Sequence, residues 1–300
     1  MRVVQFKQVD VFAECEFGGN PVAVILDGED LSDADMQKIA RWTNLSETTF
    51  VLPPSAAGAS YRVRIFTPGG ELPFAGHPSL GTAHAVIEGD LARPVDGVLI
   101  QQCEAGLLPV RIAEGQRSRR CSVRVPPAKV GDPDDATTDA LAKALGAVPR
   151  DDLPPRAIDV GPVWLIAGYA DAATVRSMKP DYARLTEICR QTKATGVTVF
   201  GAESAPGTAT PEKPCADAVF AVRSFTPIDG IAEDPVCGSG NAAIAAFLQA
   251  GNALPARDYA VSQGREVGRE GRVAVHIDDD GAIEIEGRTL TRIDGVIRLD

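Results

Sequence analysis

Apolar and polar positions alternate in short runs along most of the chain, and the runs are separated by turn residues. Residues 61–67 are the clearest case: Tyr61, Val63 and Ile65 stand against Arg62, Arg64 and Phe66, the period of a half-buried strand. Residues 1–6, 9–13, 21–26 and 48–52 predict further strands in the first third. Residues 98–102, 122–125, 163–167 and 273–277 predict others beyond it. Helical signals are fewer. One helix is expected to start near Ser32, with Asp35 as an imperfect capping-box partner and Met36, Ile39 and Ala40 facing inward. It should stop before Asn44-Leu45-Ser46-Glu47. Residues 138–145 and 182–191 predict two surface helices.

Two more helical runs have no polar face. Residues 80–87 almost lack charge, and Ala242, Ala243, Ile244, Ala245, Ala246, Phe247 and Leu248 lack polar side chains altogether. A helix apolar all round must be buried on every side. Each run closes a repeated series: Arg64-Ile65-Phe66-Thr67-Pro68 recurs as Arg223-Ser224-Phe225-Thr226-Pro227. A loop follows each copy, ending in Gly76-His77-Pro78-Ser79 or Cys237-Gly238-Ser239-Gly240, and leads into the apolar helix. Two copies do not make a solenoid; they predict one ancestral domain used twice. The expected architecture is α+β, with two pseudo-symmetric domains, each a central buried helix wrapped by a curved, largely antiparallel sheet. The first domain is expected over 1–118, open to completion by a C-terminal strand, and the second over 119–300. Pro126-Pro127 and Gly131-Asp132-Pro133 mark the expected crossover.

Composition narrows the function. The 300 residues are 44% hydrophobic and 24% charged, which suits a globular chain with a real core. The net charge of -11 argues against nucleic acid and against anionic membrane surfaces. No run approaches the roughly 20 apolar residues of a membrane span. The opening residues read as a strand rather than a targeting peptide, so a cytoplasmic location is expected. The six cysteines are scattered, which suits free thiols, and three histidines without paired spacing predict no metal site.

Any anionic ligand must therefore be held by local devices. The two helix mouths are such devices, because unpaired N–H groups and the helix dipole favour an anion there. Gly238 and Gly240 allow close approach to the main chain, Ser239 and Ser79 add hydroxyls, and Pro78 suits the first helical position. If the halves face each other, the two mouths converge on one cleft that holds a carboxylate and stabilises an enolate-like anion. His77 is equally readable as a donor or as a cap. Asp234 is a candidate for orienting His77 or holding a substrate amine, although an isolated Glu-Asp-Pro is more often an acidic turn. Cys237 reads as an activated thiol or as a small buried residue. Arg64 and Arg223 reach far enough for a carboxylate, but strand arginines usually face solvent or a neighbouring acid. Spacing alone does not separate Glu47 from the other acidic residues.

Several motifs together resemble the PhzF-like family of phenazine biosynthesis, which shares the architecture of diaminopimelate epimerase. They are Val9-Asp10-Val11-Phe12 with Gly18-Gly19-Asn20-Pro21, Asn44-Leu45-Ser46-Glu47-Thr48, Phe66-Thr67-Pro68 running into Glu71-Leu72-Pro73-Phe74-Ala75-Gly76-His77-Pro78, Glu233-Asp234-Pro235 with Gly238-Ser239, and Gln263-Gly264 with Gly268-Arg269. The resemblance implies an isomerase with Glu47 as acid/base, and His77, Asp234, Gly238 and Ser239 as substrate-binding residues. It further implies a small carboxylate-bearing substrate, no cofactor and no metal, and a homodimer. One departure is Val236-Cys237-Gly238-Ser239-Gly240-Asn241, which is closer to the cysteine loop of diaminopimelate epimerase. Two-base epimerases carry a cysteine at each helix mouth, and His77 stands at the other one here. Two rival readings follow: a Cys237-dependent racemase or epimerase, and a non-catalytic small-acid binding protein.

Overall fold

Local signals set the helix ends. In a computed structural model that describes residues 2–113, 118–132, 134–204, 207, 215 and 217–299, Ser32 caps α1 (Asp33–Thr43). Its side chain accepts the Asp35 N–H, and Asn44 ends the helix in the left-handed region at φ 53°. Met36, Ile39 and Ala40 form the buried face. Met1 and Pro133, named in the sequence reading above, lie outside the described residues.

The chain forms two compact units. The first comprises Met1–Ala13, Asn20–Arg124 and Glu286–Asp300; the second comprises Glu14–Gly19 and Val125–Ile285. The first unit contains β1 (Arg2–Val11), β2 (Asn20–Ile25), α1, β3 (Thr48–Leu52), β4 (Tyr61–Phe66), β5 (Glu71–Leu72), α2 (Gly76–Glu88), β6 (Val98–Cys103), β7 (Gly106–Ala113) and β8 (Arg119–Arg124). The second contains β9 (Lys129–Val130), α3 (Asp135–Leu145), β10 (Arg156–Asp159), β11 (Val163–Tyr169), α4 (Ala172–Ser177), α5 (Tyr182–Thr192), β12 (Gly196–Ala202), β13 (Phe220–Thr226), β14 (Ile231–Asp234), α6 (Gly238–Ala250), β15 (Asp258–Gln263) and β16 (Gly271–Ile277). The last strand, β17 (Ile283–Leu299), begins in the second unit and runs on through the first.

In the first unit β1 pairs with β2 and β17, and the pairing continues through β3, β4, β6, β7 and β8 back to β17. The ring of strands closes around α2, which touches β1, β2, β3, β6, β7 and β8. Eleven consecutive residues of α2, Gly76 to Val86, are buried. Gly81 faces Val22 and Val11 so closely that a β-carbon would collide with them.

The second unit repeats the series of pairings. β1–β2 is antiparallel, β2–β3 parallel, β3–β4 and β4–β5 antiparallel, β4–β6 parallel and β6–β7 antiparallel. The same order holds for β10–β11, β11–β12, β12–β13, β13–β14, β13–β15 and β15–β16. The sheet is thus more mixed than expected, for one physical reason. Helices lie between β2 and β3, β4 and β6, β11 and β12, and β13 and β15, and a helical crossover returns the chain in its original direction. α6 is buried from Gly238 to Leu248 and touches β9, β10, β11, β12 and β16.

The echoing arginines serve the sheet. Arg64 makes a bidentate pair with Glu71 on β5 (2.7 and 2.6 Å) and lies over the Phe66 ring at 5.1 Å. Arg223 does the same with Glu233 on β14 (2.9 and 2.7 Å) and lies over Phe225 at 5.0 Å. Both guanidinium groups therefore hold the short strand that precedes a buried helix. Both helices also start earlier than their apolar runs, at Gly76 and Gly238. The supposed loop residues are the first helical turn, and Pro78 is the third helical residue. Its missing N–H still costs nothing there, because no first-turn N–H has an intrahelical partner.

Candidate active site

Within the first unit, three elements bring their ends together. Glu47 follows the left-handed end of α1 and immediately precedes β3, where its carbonyl accepts the Ala23 N–H of β2 (3.4 Å). His77 is the second residue of α2, and Asn20 opens β2. His77 Nε2 lies 3.3 Å from Glu47 Oε2, with the imidazole 3% and the carboxylate 13% exposed. The distance is within hydrogen-bond reach, but the ring is not aligned for a straight bond, and Nε2 has no hydrogen-bond partner elsewhere among the described residues. On its other side, His77 Nδ1 lies 3.5 Å from Asn20 Nδ2. An amide donating to Nδ1 leaves the ring proton on Nε2, turned towards Glu47.

Burial pushes the His77 pKa down to about 3, so at neutral pH the imidazole is uncharged. That matters for Glu47. An imidazolium at 3.3 Å would pull on the Glu47 carboxylate with a full charge, and a neutral ring does not. Ser79 plays no comparable part. Its hydroxyl donates to the Ala75 carbonyl (2.8 Å) and accepts from Gln101 Nε2 (2.9 Å), and Gln101 Oε1 accepts the Tyr61 hydroxyl (3.2 Å). The first helix mouth therefore offers His77 and its backbone rather than the expected serine.

Within the second unit, the segment 234–241 is tied at several points. Asp234, buried, ends β14. Cys237 is the N-cap of α6, with Sγ accepting the Gly240 N–H (3.3 Å). Gly238 and Ser239 form the first turn, and Ser239 Oγ lies 3.6 Å from Cys237 Sγ. Gln263 clamps the segment. Its Oε1 accepts the Cys237 N–H (3.1 Å) and Asn241 Nδ2 (2.8 Å), and its Nε2 donates to the Asp234 carbonyl (3.1 Å). Gly264 follows with φ 98°, and a β-carbon there would strike the Pro235 carbonyl. A second residue reaches in from β11, where the Trp164 indole N–H donates to Ser239 Oγ at 3.1 Å.

The structure thus brings Glu47 to His77 in one unit, and Asp234, Cys237, Gly238 and Ser239 to one segment in the other. Sequence reasoning assigned no role to Asn20, Trp164 or Gln263. Asn20 lay in a quoted motif and was the polar residue opening an otherwise apolar run. Gln263 lay in a quoted motif. Trp164 carried none, because its partner lies 75 residues away.

A model of the family described as phenazine biosynthesis-like protein matches residues 9–295. The chain is 37% identical over 300 residues to antisense-enhancing sequence 1 of Schizosaccharomyces pombe, covering 97% of each. It is 33% identical over 296 residues to a trans-2,3-dihydro-3-hydroxyanthranilate isomerase of Pseudomonas aeruginosa, covering 93% of this chain and 97% of that one. Among solved structures, a phenazine biosynthesis protein of the PhzF family from Bacillus anthracis matches with a TM-score of 0.82 over 100% of both chains. At 23% identity that is a likeness of fold.

Proposed function

The chain belongs to the phenazine biosynthesis-like protein family and is an isomerase; from that premise we propose that it moves a proton between carbons of a small carboxylate-bearing substrate, without a cofactor, using Glu47 as acid and base. Glu47 takes a proton from a ring carbon as that C–H bond breaks. The electron pair spreads into the adjoining unsaturated system as an enolate-like anion. A proton, either the one removed or one exchanged with solvent while on Glu47, then returns to a different carbon, so the substrate gains or loses no atom or electron overall. His77 orients the Glu47 carboxylate, while Asp234, Gly238 and Ser239 hold the substrate. We read the two units as copies of one ancestral domain, supported by their identical order of strand pairings.

The observation that carries the reading is the approach of Glu47 Oε2 to within 3.3 Å of the buried His77 ring, whose pKa burial pushes down. A base that must also return its proton needs a pKa near the working pH, and a neutral neighbour leaves room for that. The test uses trans-2,3-dihydro-3-hydroxyanthranilate, the compound named for the Pseudomonas relative, and then other small ring carboxylates, in heavy water. Glu47→Gln is nearly isosteric. It should fold and bind, yet lose about a hundred- to ten-thousandfold in turnover and stop exchanging the carbon-bound proton at saturation. Exchange at the parent rate in that variant would place the base elsewhere.

A further inference from the structure

The Ser239 hydroxyl is held from one side by a group that can only donate. A serine hydroxyl has one hydrogen to give and two lone pairs to accept with, whereas an indole N–H has no accepting capacity. Trp164 Nε1 donates to Ser239 Oγ at 3.1 Å, so one lone pair is occupied and the hydroxyl hydrogen must point elsewhere. The indole is fixed in that pose. Trp164 is buried in β11, paired across to Ile158 on β10 and to Gly196 on β12. A β-carbon at Gly196 would come within 2.7 Å of the indole ring, so the glycine makes the room in which the ring lies.

Among the described residues, the side chain placed to take that hydrogen is a weak acceptor. Cys237 Sγ, 3.6 Å from Ser239 Oγ, is a weak acceptor and already receives the Gly240 N–H. The Thr198 hydroxyl, beside Gly240, donates to Ser224 Oγ (2.9 Å). A carboxylate or enolate oxygen is a far better acceptor than a thiol sulfur, so exchanging sulfur for such an oxygen is favourable. An ammonium group, which brings only donors, meets a hydroxyl oxygen already half occupied by the indole.

We propose that Trp164 is a positioning residue that turns Ser239 into a committed donor, so that the start of α6 selects an anionic oxygen over an amine. This rests on the reading of Ser239 as a substrate-binding residue. Trp164 acts through Ser239 and does not itself touch the substrate.

The chain has two tryptophans, and Trp42 is 79% exposed, so the buried indole is readily told apart. In protein labelled with nitrogen-15, the two indole N–H signals are assigned with Trp164→Phe, which removes the donor and keeps an aromatic ring. Benzoate and benzylamine serve as anionic and cationic probes. In the parent protein benzoate should shift the Trp164 indole signal and leave that of Trp42 in place, and Ser239→Ala should shift the Trp164 signal without ligand. Trp164→Phe should weaken benzoate about five- to tenfold while leaving benzylamine no weaker, a change in preference that general loosening of the fold would not produce. Benzoate that binds without moving the Trp164 signal overturns the proposal, and so does Trp164→Phe weakening both probes equally or neither. If Ser239→Ala binds benzoate as the parent does, or the parent binds no benzoate, the underlying assignment of Ser239 fails. If Ser239→Ala weakens benzoate and Trp164→Phe does not, only the role of Trp164 fails.

Discussion

The proposed mechanism turns on an uncharged His77, and that state is measurable. Burial holds the imidazole pKa at about 3 in the folded protein, against an ordinary value of 6.5. A depressed folded value means that the unfolded chain takes up the proton first as the pH falls. The stability contributed by neutral His77 is therefore complete above pH 6.5 and is lost progressively between 6.5 and 3. Each pH unit inside that window removes at most about 1.4 kcal/mol, so moving from pH 7.5 to 5 should remove about 2 kcal/mol. His77→Gln keeps hydrogen-bonding capacity but does not titrate. In urea denaturation followed by circular dichroism, the stability advantage of the parent over His77→Gln should shrink by about that amount between pH 7.5 and 5. Nitrogen-15 spectra of the three histidines give a direct check, with His77 identified by its loss in the variant. Its ring should stay neutral, with the proton on Nε2, throughout that range. A His77 that titrates at or above 6.5, or a parent advantage that grows as the pH falls, would mean an imidazolium paired with Glu47 and would refute the argument that a neutral neighbour preserves the base.

Two further outcomes follow from the geometry. Cys237→Ser should keep most of the activity, because serine caps α6 as well as the thiol does and no cysteine stands at the start of α2; a thousandfold loss of turnover with binding intact would bring the thiol into the chemistry. Arg223→Met should cost about 3–5 kcal/mol in denaturant unfolding, because it strands the buried Glu233, whereas Arg64→Met should cost about 1 kcal/mol or less, because its acidic partners reach solvent; equal losses would contradict the burial argument.

Much of this protein was decided within short stretches of chain. The Ser32 cap, the left-handed stop at Asn44, the alternation of β4 and the charge-free runs of α2 and α6 depend on neighbours a few residues away, and all can be read without knowing the fold. The repeat of Arg-x-Phe-Thr-Pro was equally visible, and it marked the duplicated pairing order before any strand was placed. A C-terminal strand completing the first unit was expected, but its span, Ile283–Leu299, was not read from the sequence. Glu47 was legible only by resemblance, since nothing in its local spacing distinguishes it from other acids.

Tertiary structure decided the rest. Asn20 meets His77 across 57 residues, Trp164 meets Ser239 across 75, and Gln263 ties Asp234, Cys237 and Asn241 together across 22 to 29. Such contacts depend on strand register, since a slip of one residue would turn Asn20, Trp164 and Gln263 to the opposite face of their strands. Protonation is likewise a property of the fold: the charge of His77 is set by the loss of water around it rather than by its neighbours in sequence. The arginines show the same division, for their repetition was plain in the sequence while their task, gripping Glu71 and Glu233, depended on where β5 and β14 came to lie.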